Sequence, residues 1–263
     1  MTPPTALTIA GSDSGGCAGV QADLTTMAAL GVHGTSVLTV VTAQNTVGVQ
    51  GLHPLPTDVV AAQLASVRDD LPPQAVKCGL LGTPELVDLV AKAIADGLPA
   101  PVVDPVLVAT SGDGLTTGDV ISAYSDLLLP STLLLTPNAD EAAALLGGGA
   151  LETLPDLRDA ARALHAMGPR AVVITGGTDQ GTCTDVYADA DGVREHTAPA
   201  IETRNDHGTG CTYSASVAAH LARGADLRTA CRNATDFVRR QLAISSSWQL
   251  GAGHGPVAHT TES

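Results

Sequence analysis

The sequence predicts an α/β fold, a mostly parallel sheet with helices on both faces. Three observations lead there. Short apolar runs alternate with longer amphipathic ones along the chain, the pattern of βαβ units. The short runs stay apolar through their middles, as strands do when helices cover both faces. The longer segments are bracketed by residues that start and stop helices. At 263 residues the chain falls within the range of one large α/β unit with one core. No stretch rich in Pro, Gly or Ser divides it, so a single domain over 1–263 is expected.

Taken in order, the strands are ALTIAG (6–11), SVLTVVT (36–42), AVKCGLL (75–81), PVVD (101–104), TLLLTP (132–137) and AVVITGG (171–177). A first helix begins near Ala18 and ends at Gly31, and Thr57-Asp58 starts a second. Thr83-Pro84-Glu85 supplies an N-cap, a first-turn proline and an acid to a third, which Gly97 closes. Asn138 and Glu141 have the spacing of a capping box, with Gly147 as the stop. ATSGDGL (109–115) reads as a mobile flap or as a plain loop. After residue 180 alternation and an Asp-Gly turn predict an antiparallel hairpin, followed by helices over 208–223 and from 226 to about 245. With one Trp, one Phe and three Tyr, the core must be built from branched strands and alanine-rich helices.

A formal net charge of -14 argues against nucleic acid and anionic membrane as partners, since both need a dense basic patch. A small molecule fits better, and an anionic one would have to be held locally by helix N-termini, loop amides or a cation. The N-terminal MTPPTALTIAGSD has neither a basic n-region nor a long apolar stretch, so the cytoplasm is expected. Five scattered cysteines without a C-x-x-C pair suggest neither a disulfide framework nor a zinc site.

Three segments carry chemistry. GSDSGGCAG (11–19) follows the first strand with glycines at Walker spacing, but Cys17-Ala18 stands where Lys-Ser/Thr would be required, so a P-loop is disfavoured. Asp104 ends one strand, and Asn138 with Glu141 follows another. In open parallel sheets ligands bind outside the carboxyl ends of strands, so these groups can share a cleft and hold Mg2+; ordinary capping is the competing reading. NDHGTGCTYSA (205–215) admits a cysteine-hydrolase triad, a zinc site or an anion cradle. A triad is a spatial constellation, seldom six consecutive residues, and zinc lacks two ligands. Gly208, Thr209 and Gly210 instead allow several N–H groups to converge at a helix start, where Cys211 would have a lowered pKa.

Together ALTIAGSDSGGCAGVQADLTTMAALG, SVLTVVTAQNTVGVQG, AVKCGLLG, VVDPVLVATSGDGL, LLLTPNADEAAALLG, DHGTGCTYSA and GHGPV resemble the hydroxymethylpyrimidine and phosphomethylpyrimidine kinases of thiamin biosynthesis, in the ribokinase superfamily. The resemblance implies a ribokinase-like three-layer sandwich with a small β lid, commonly a homodimer. It implies ATP-dependent phosphorylation of 4-amino-5-hydroxymethyl-2-methylpyrimidine and then of its monophosphate. Position by position, it implies that Gln44 bonds the aminopyrimidine, with Asp23 and the Gly11 backbone nearby and Leu80, Val106 and Cys211 lining the pocket. Asp104, Asn138 and Glu141 would organise Mg2+ and the ATP phosphates, with Thr175 and Gly177 beside them. The amides of 208–211 would stabilise the transferring phosphoryl group, and Cys211 would take or relay the hydroxyl proton as a thiolate. The chain departs from the family at Thr175, where lysine is usual. Pyridoxal kinase, a non-catalytic pyrimidine sensor and a cysteine hydrolase are the competing functions.

Overall fold

The computed structural model describes residues 2–107, 115–116, 119–179 and 181–260. Its backbone is one nine-stranded sheet built in the order β3-β2-β1-β4-β5-β6-β7-β8-β9. In chain order the elements begin with β1 (Thr5–Asp13), α1 (Gly19–Ala29), β2 (His33–Asn45), β3 (Gly48–Pro54), α2 (Thr57–Asp70), β4 (Ala75–Cys78) and α3 (Pro84–Ala95). Then come β5 (Val102–Val103), the short helix α4 (Val120–Ala123) with its π and 3-10 continuation to Ser131, β6 (Leu134–Leu135), α5 (Ala139–Leu146) and α6 (Leu154–Ala166). The chain closes with β7 (Ala171–Asp179), β8 (Thr182–Asp189), β9 (Gly192–Pro199), α7 (Thr209–Ala222) and α8 (Leu227–Ser245).

Strands β2, β1, β4, β5, β6 and β7 run parallel, β3 at one edge and β8 at the other run against them, and β9 pairs antiparallel with β8. Alternation along β1 shows how the layers form. Leu7 and Ile9 face a core shared with Val60 and Leu64 of α2, Leu86 and Val90 of α3, and Leu157 and Leu164 of α6. Ala6 faces the opposite core, with Met27 of α1, a run of alanines from α7, and Val238 of α8. The expected sandwich of helices, sheet and helices is therefore present. Small side chains on α7 let that helix lie close to the sheet, which matters because its first turn enters the cleft.

The caps behave as their sequences predict. Thr83 accepts from the Leu86 N–H, and Asn138 and Glu141 form a reciprocal capping box. The antiparallel hairpin after residue 180 is also observed, as β8 and β9. Two features go beyond the expected elements. Strand β2 continues past Thr42 into a hairpin with β3, closed at Asn45 and Gly48. Helix α6 has its own capping box, Thr153 with Asp156. Of the expected flap over 109–115, all but Leu115 lies outside the described residues.

One buried charge interrupts the apolar middle expected of the strands. Lys77 of β4 has no solvent exposure, although its segment reads as a strand covered on both faces.

Candidate active site

A cavity of about 680 Å³ opens at the carboxyl ends of β1, β2, β4 and the strands beside them. Open parallel sheets bind their ligands there. It brings together Gly11, Gln44, Leu80, Asp104, Val106, Asn138, Glu141, Thr175 and the whole run from Gly208 to Cys211. Two expected site residues are placed elsewhere. Asp23 is fully buried behind the cavity, its carboxylate accepting from Lys77 Nζ at 3.0 and 2.9 Å and from Thr8 Oγ1 at 2.6 Å. Gly177 packs away from the lining, where an added Cβ would stand 2.7 Å from Leu157 Cδ1; its neighbour Gly176 lines the cavity instead.

The glycine loop after β1 explains why it is no phosphate loop. Its amides are turned onto its own acid: Asp13 accepts from the N–H groups of Gly15 at 2.8 Å, Cys17 at 3.0 Å and Ala18 at 2.9 Å. Those donors are consumed internally. The loop instead brings Gly19 so close to β1 that a Cβ there would lie 2.3 Å from the Gly11 carbonyl oxygen. That packing aims the Gly19 N–H at the Cys211 sulfur.

At the start of α7 the opposite holds. Gly208 is the N-cap in the left-handed region (φ 86), and no side chain caps the helix. The Thr209 N–H is used by the Asp206 carbonyl at 3.1 Å, whereas first-turn helical amides such as those of Gly210 and Cys211 have no intrahelical acceptor. Helix geometry therefore leaves donors and the positive dipole end at the cavity wall. Gly208 also meets a steric demand, since a Cβ would fall 1.8 Å from the Cys17 carbonyl oxygen.

Three carboxylates and one amine set the electrostatics. Burial raises the Asp104 carboxyl above its usual range with a further push from Asp23, opposed by Lys77 and by hydrogen bonds from Ser214 and Cys211. Burial and the Asp104 charge push Glu141 up to about 8, against the Asn138 N–H, which donates to Glu141 Oε2 at 3.0 Å. Lys77 goes the other way: burial alone would lower it, but the charges of Asp23 and Asp104 and the hydrogen bond to Asp23 raise it. Asp104 and Glu141 are thus two mutually repelling buried acids on one wall. They fit a divalent cation that takes one or two carboxylates and completes its shell with water and phosphate oxygens. Among the described residues no group of three or more His, Cys, Asp or Glu is arranged to hold a metal ion.

Cys211 does not match its expected state. Burial pushes the thiol up to about 12, although Lys77 and the Gly19 N–H pull it down. A helix N-terminus lowers a cysteine pKa only where solvation is retained, and here desolvation dominates. The thiol keeps its proton and donates it towards Asp104.

At the other end of the cavity, Gln44 Nε2 lies 3.2 Å from His207 Nε2, and Gln44 Oε1 lies 3.2 Å from Thr42 Oγ1. A second cavity of about 340 Å³ adjoins the first, sharing Thr175, Gly176, Asp206, Thr209 and Gly210 and reaching Arg239. The sequence reading names no role for Lys77, Asp13 or Arg239. For Lys77 a signal existed, a lone charge within a run expected to be buried on both faces. For Asp13 and Arg239 nothing local distinguishes them.

The profile of the phosphomethylpyrimidine kinase family matches residues 13–258. The chain is 49% identical to the hydroxymethylpyrimidine/phosphomethylpyrimidine kinase of Streptomyces coelicolor, over 98% of this chain and 95% of that protein. Among solved structures, Bacillus subtilis pyridoxal kinase in complex with ADP superposes with a TM-score of 0.90 at 37% identity, covering 98% of each chain. The phosphomethylpyrimidine kinase of Clostridium difficile superposes with a TM-score of 0.79 at 31% identity, over 92% of this chain and 99% of that one.

Proposed function

The chain belongs to the phosphomethylpyrimidine kinase family, and from that premise we propose how its cavity carries out two successive phosphorylations of thiamin biosynthesis. The γ-phosphoryl of ATP passes to the hydroxymethyl oxygen of 4-amino-5-hydroxymethyl-2-methylpyrimidine, then to the phosphate of the resulting monophosphate. One observation carries this reading. A polar amide for the ring (Gln44), a thiol within reach of a carboxylate (Cys211 and Asp104), free first-turn amides and two buried acids all line one cavity.

In this scheme the pyrimidine lies between Gln44, Leu80 and Val106, and the nucleotide extends past Thr175 and Gly176 into the second cavity. Asp104 and Glu141 would hold Mg2+, directly or through water, and that ion would supply neutralisation of charge on the phosphate oxygens. In the first step the bond from the hydroxymethyl oxygen to the γ-phosphorus forms as the bond to the bridging oxygen of ADP breaks. The hydroxyl proton moves to the Cys211 sulfur as the thiol proton passes to Asp104. Cys211 is then a relay rather than a standing thiolate. The amides of Gly210 and Cys211 and the charge of Lys77 stabilise the transferring phosphoryl group, the electrostatic work that dominates such reactions.

Purified protein given ATP, Mg2+ and the pyrimidine should yield monophosphate and then diphosphate by chromatography. Absence of both products would sink the reading. The close superposition with a pyridoxal kinase favours pyridoxal as a second acceptor, and kcat/KM for the two acceptors measured side by side ranks them.

A further inference from the structure

GHGPV (253–257) helped to carry the family resemblance, yet nothing in the scheme above uses it. In the fold it is a strap behind the cavity. The His207 N–H donates to the Gly255 carbonyl at 3.1 Å, and the Val257 N–H donates to the His207 carbonyl at 3.0 Å. His207 is gripped on both sides of its backbone, and the residue, 5% exposed, stands at the cavity wall with its ring against Gln44.

In this orientation the Gln44 carbonyl competes with the nearer Ser12 carbonyl for one hydroxyl hydrogen. Thr42 has a single hydroxyl hydrogen and two acceptors in reach, the Ser12 carbonyl at 2.9 Å and Gln44 Oε1 at 3.2 Å. A hydroxyl donates once and accepts with its lone pairs. With the hydrogen on the nearer Ser12 oxygen, two acceptors face each other across the Thr42–Gln44 contact. Turning the amide over by half a turn removes the conflict. Gln44 Nε2 then donates to Thr42 Oγ1, and Gln44 Oε1 accepts from His207 Nε2–H. The nitrogen and oxygen of a carboxamide have nearly the same outline, so the hydrogen-bond network decides between them. The turned arrangement requires His207 to be a donor at Nε2.

We propose that His207 is a positioning residue that fixes the polarity of the Gln44 amide and thereby selects acceptors carrying an amino group beside a ring nitrogen. With its oxygen on the His207 side, Gln44 offers the cavity a lone pair there and an N–H on the Thr42 side. A flat ring matches that edge when its amino group points towards His207 and its ring nitrogen towards Thr42. A ring with oxygens in place of the amino group meets an acceptor with an acceptor. The strap sets acceptor choice through His207, a role that rests on the assignment of the ring to Gln44.

The test is steady-state kinetics with the aminopyrimidine and with an analogue bearing oxygen in place of the amino group. The enzymes are wild type, His207→Leu and His207→Gln, each also combined with Gln44→Ala. His207→Leu should lower kcat/KM for the aminopyrimidine roughly tenfold, the scale of one buried neutral hydrogen bond, mainly through KM. It should leave the KM for ATP within about twofold and narrow the preference for amino over oxygen. His207→Gln can place an N–H where Nε2–H stood and should restore most of the loss. In the Gln44→Ala background, His207→Leu should cost nothing further. An undiminished loss in that background, or an equal loss in ATP binding, overturns the proposal. Unchanged pyrimidine binding by Gln44→Ala alone would instead overturn the assignment of the ring to Gln44. Should the leucine variant not fold, His207→Asn, whose shorter amide stops short of Gln44, replaces it.

Discussion

Glu141 illustrates how a binding site stores instability in a single side chain. A carboxyl whose pKa in the fold exceeds its unfolded value binds more protons folded than unfolded. The folded state is therefore favoured most below the unfolded pKa of roughly 4.3, and that advantage is lost as pH rises through about 8. Glu141→Gln keeps an acceptor for the Asn138 N–H and removes the charge. Without nucleotide, its thermal midpoint should exceed that of wild type at pH 8 and above, with the difference disappearing near pH 4. The gain is bounded by ~1.4 kcal/mol per unit of pKa shift, and activity should fall sharply. A midpoint no higher than wild type at pH 8 would show that Glu141 carries no such strain. Cys211→Ala tests the relay. The first step should drop by about 10² or more, as for lost general acid–base catalysis, and the second much less, because its phosphate acceptor is already ionised. Equal losses in product formation would make the cysteine structural.

The elements were legible where their signals were local. Thr83 with Pro84, and Asn138 with Glu141, announce α3 and α5 because caps are chemistry between near neighbours. Strand β3 was not, since its residues gain meaning only by pairing back onto β2. Helix α6 has its own local signature in Thr153, Pro155 and Asp156, and that signal was available. The helix start at 208 is legible in the sequence, but the missing side-chain cap is not, and the reason for Gly208 lies partly in the Cys17 carbonyl, far away in sequence. Gly208→Ala must move that contact and also adopt φ 86 with a Cβ. It should cost about 2 kcal/mol or more in denaturant unfolding, and kcat should fall further than stability alone accounts for. An unchanged unfolding midpoint would mean that the turn gives way freely.

Across the whole molecule, a net charge of -14 surrounds the cavity proposed to take phosphates. In the proposed scheme the first-turn amides of α7 offset that field locally, while the one buried lysine is paired to Asp23. The family resemblance implies a homodimer, which sedimentation would show as twice the chain mass of 26.4 kDa; a species at the single-chain mass would contradict it. Taken by itself, the sequence determined the α/β class, the capped helices, the helix start at 208 and the kinase family. Each of these is written in short-range periodicity or in contiguous motifs. Tertiary structure alone decided that Asp23 sits behind Lys77 rather than at the ligand, that the amides of the first glycine loop serve Asp13, and that Cys211 keeps its proton. Those outcomes depend on desolvation and on charges from distant strands, and both come into being only when the sheet closes around them.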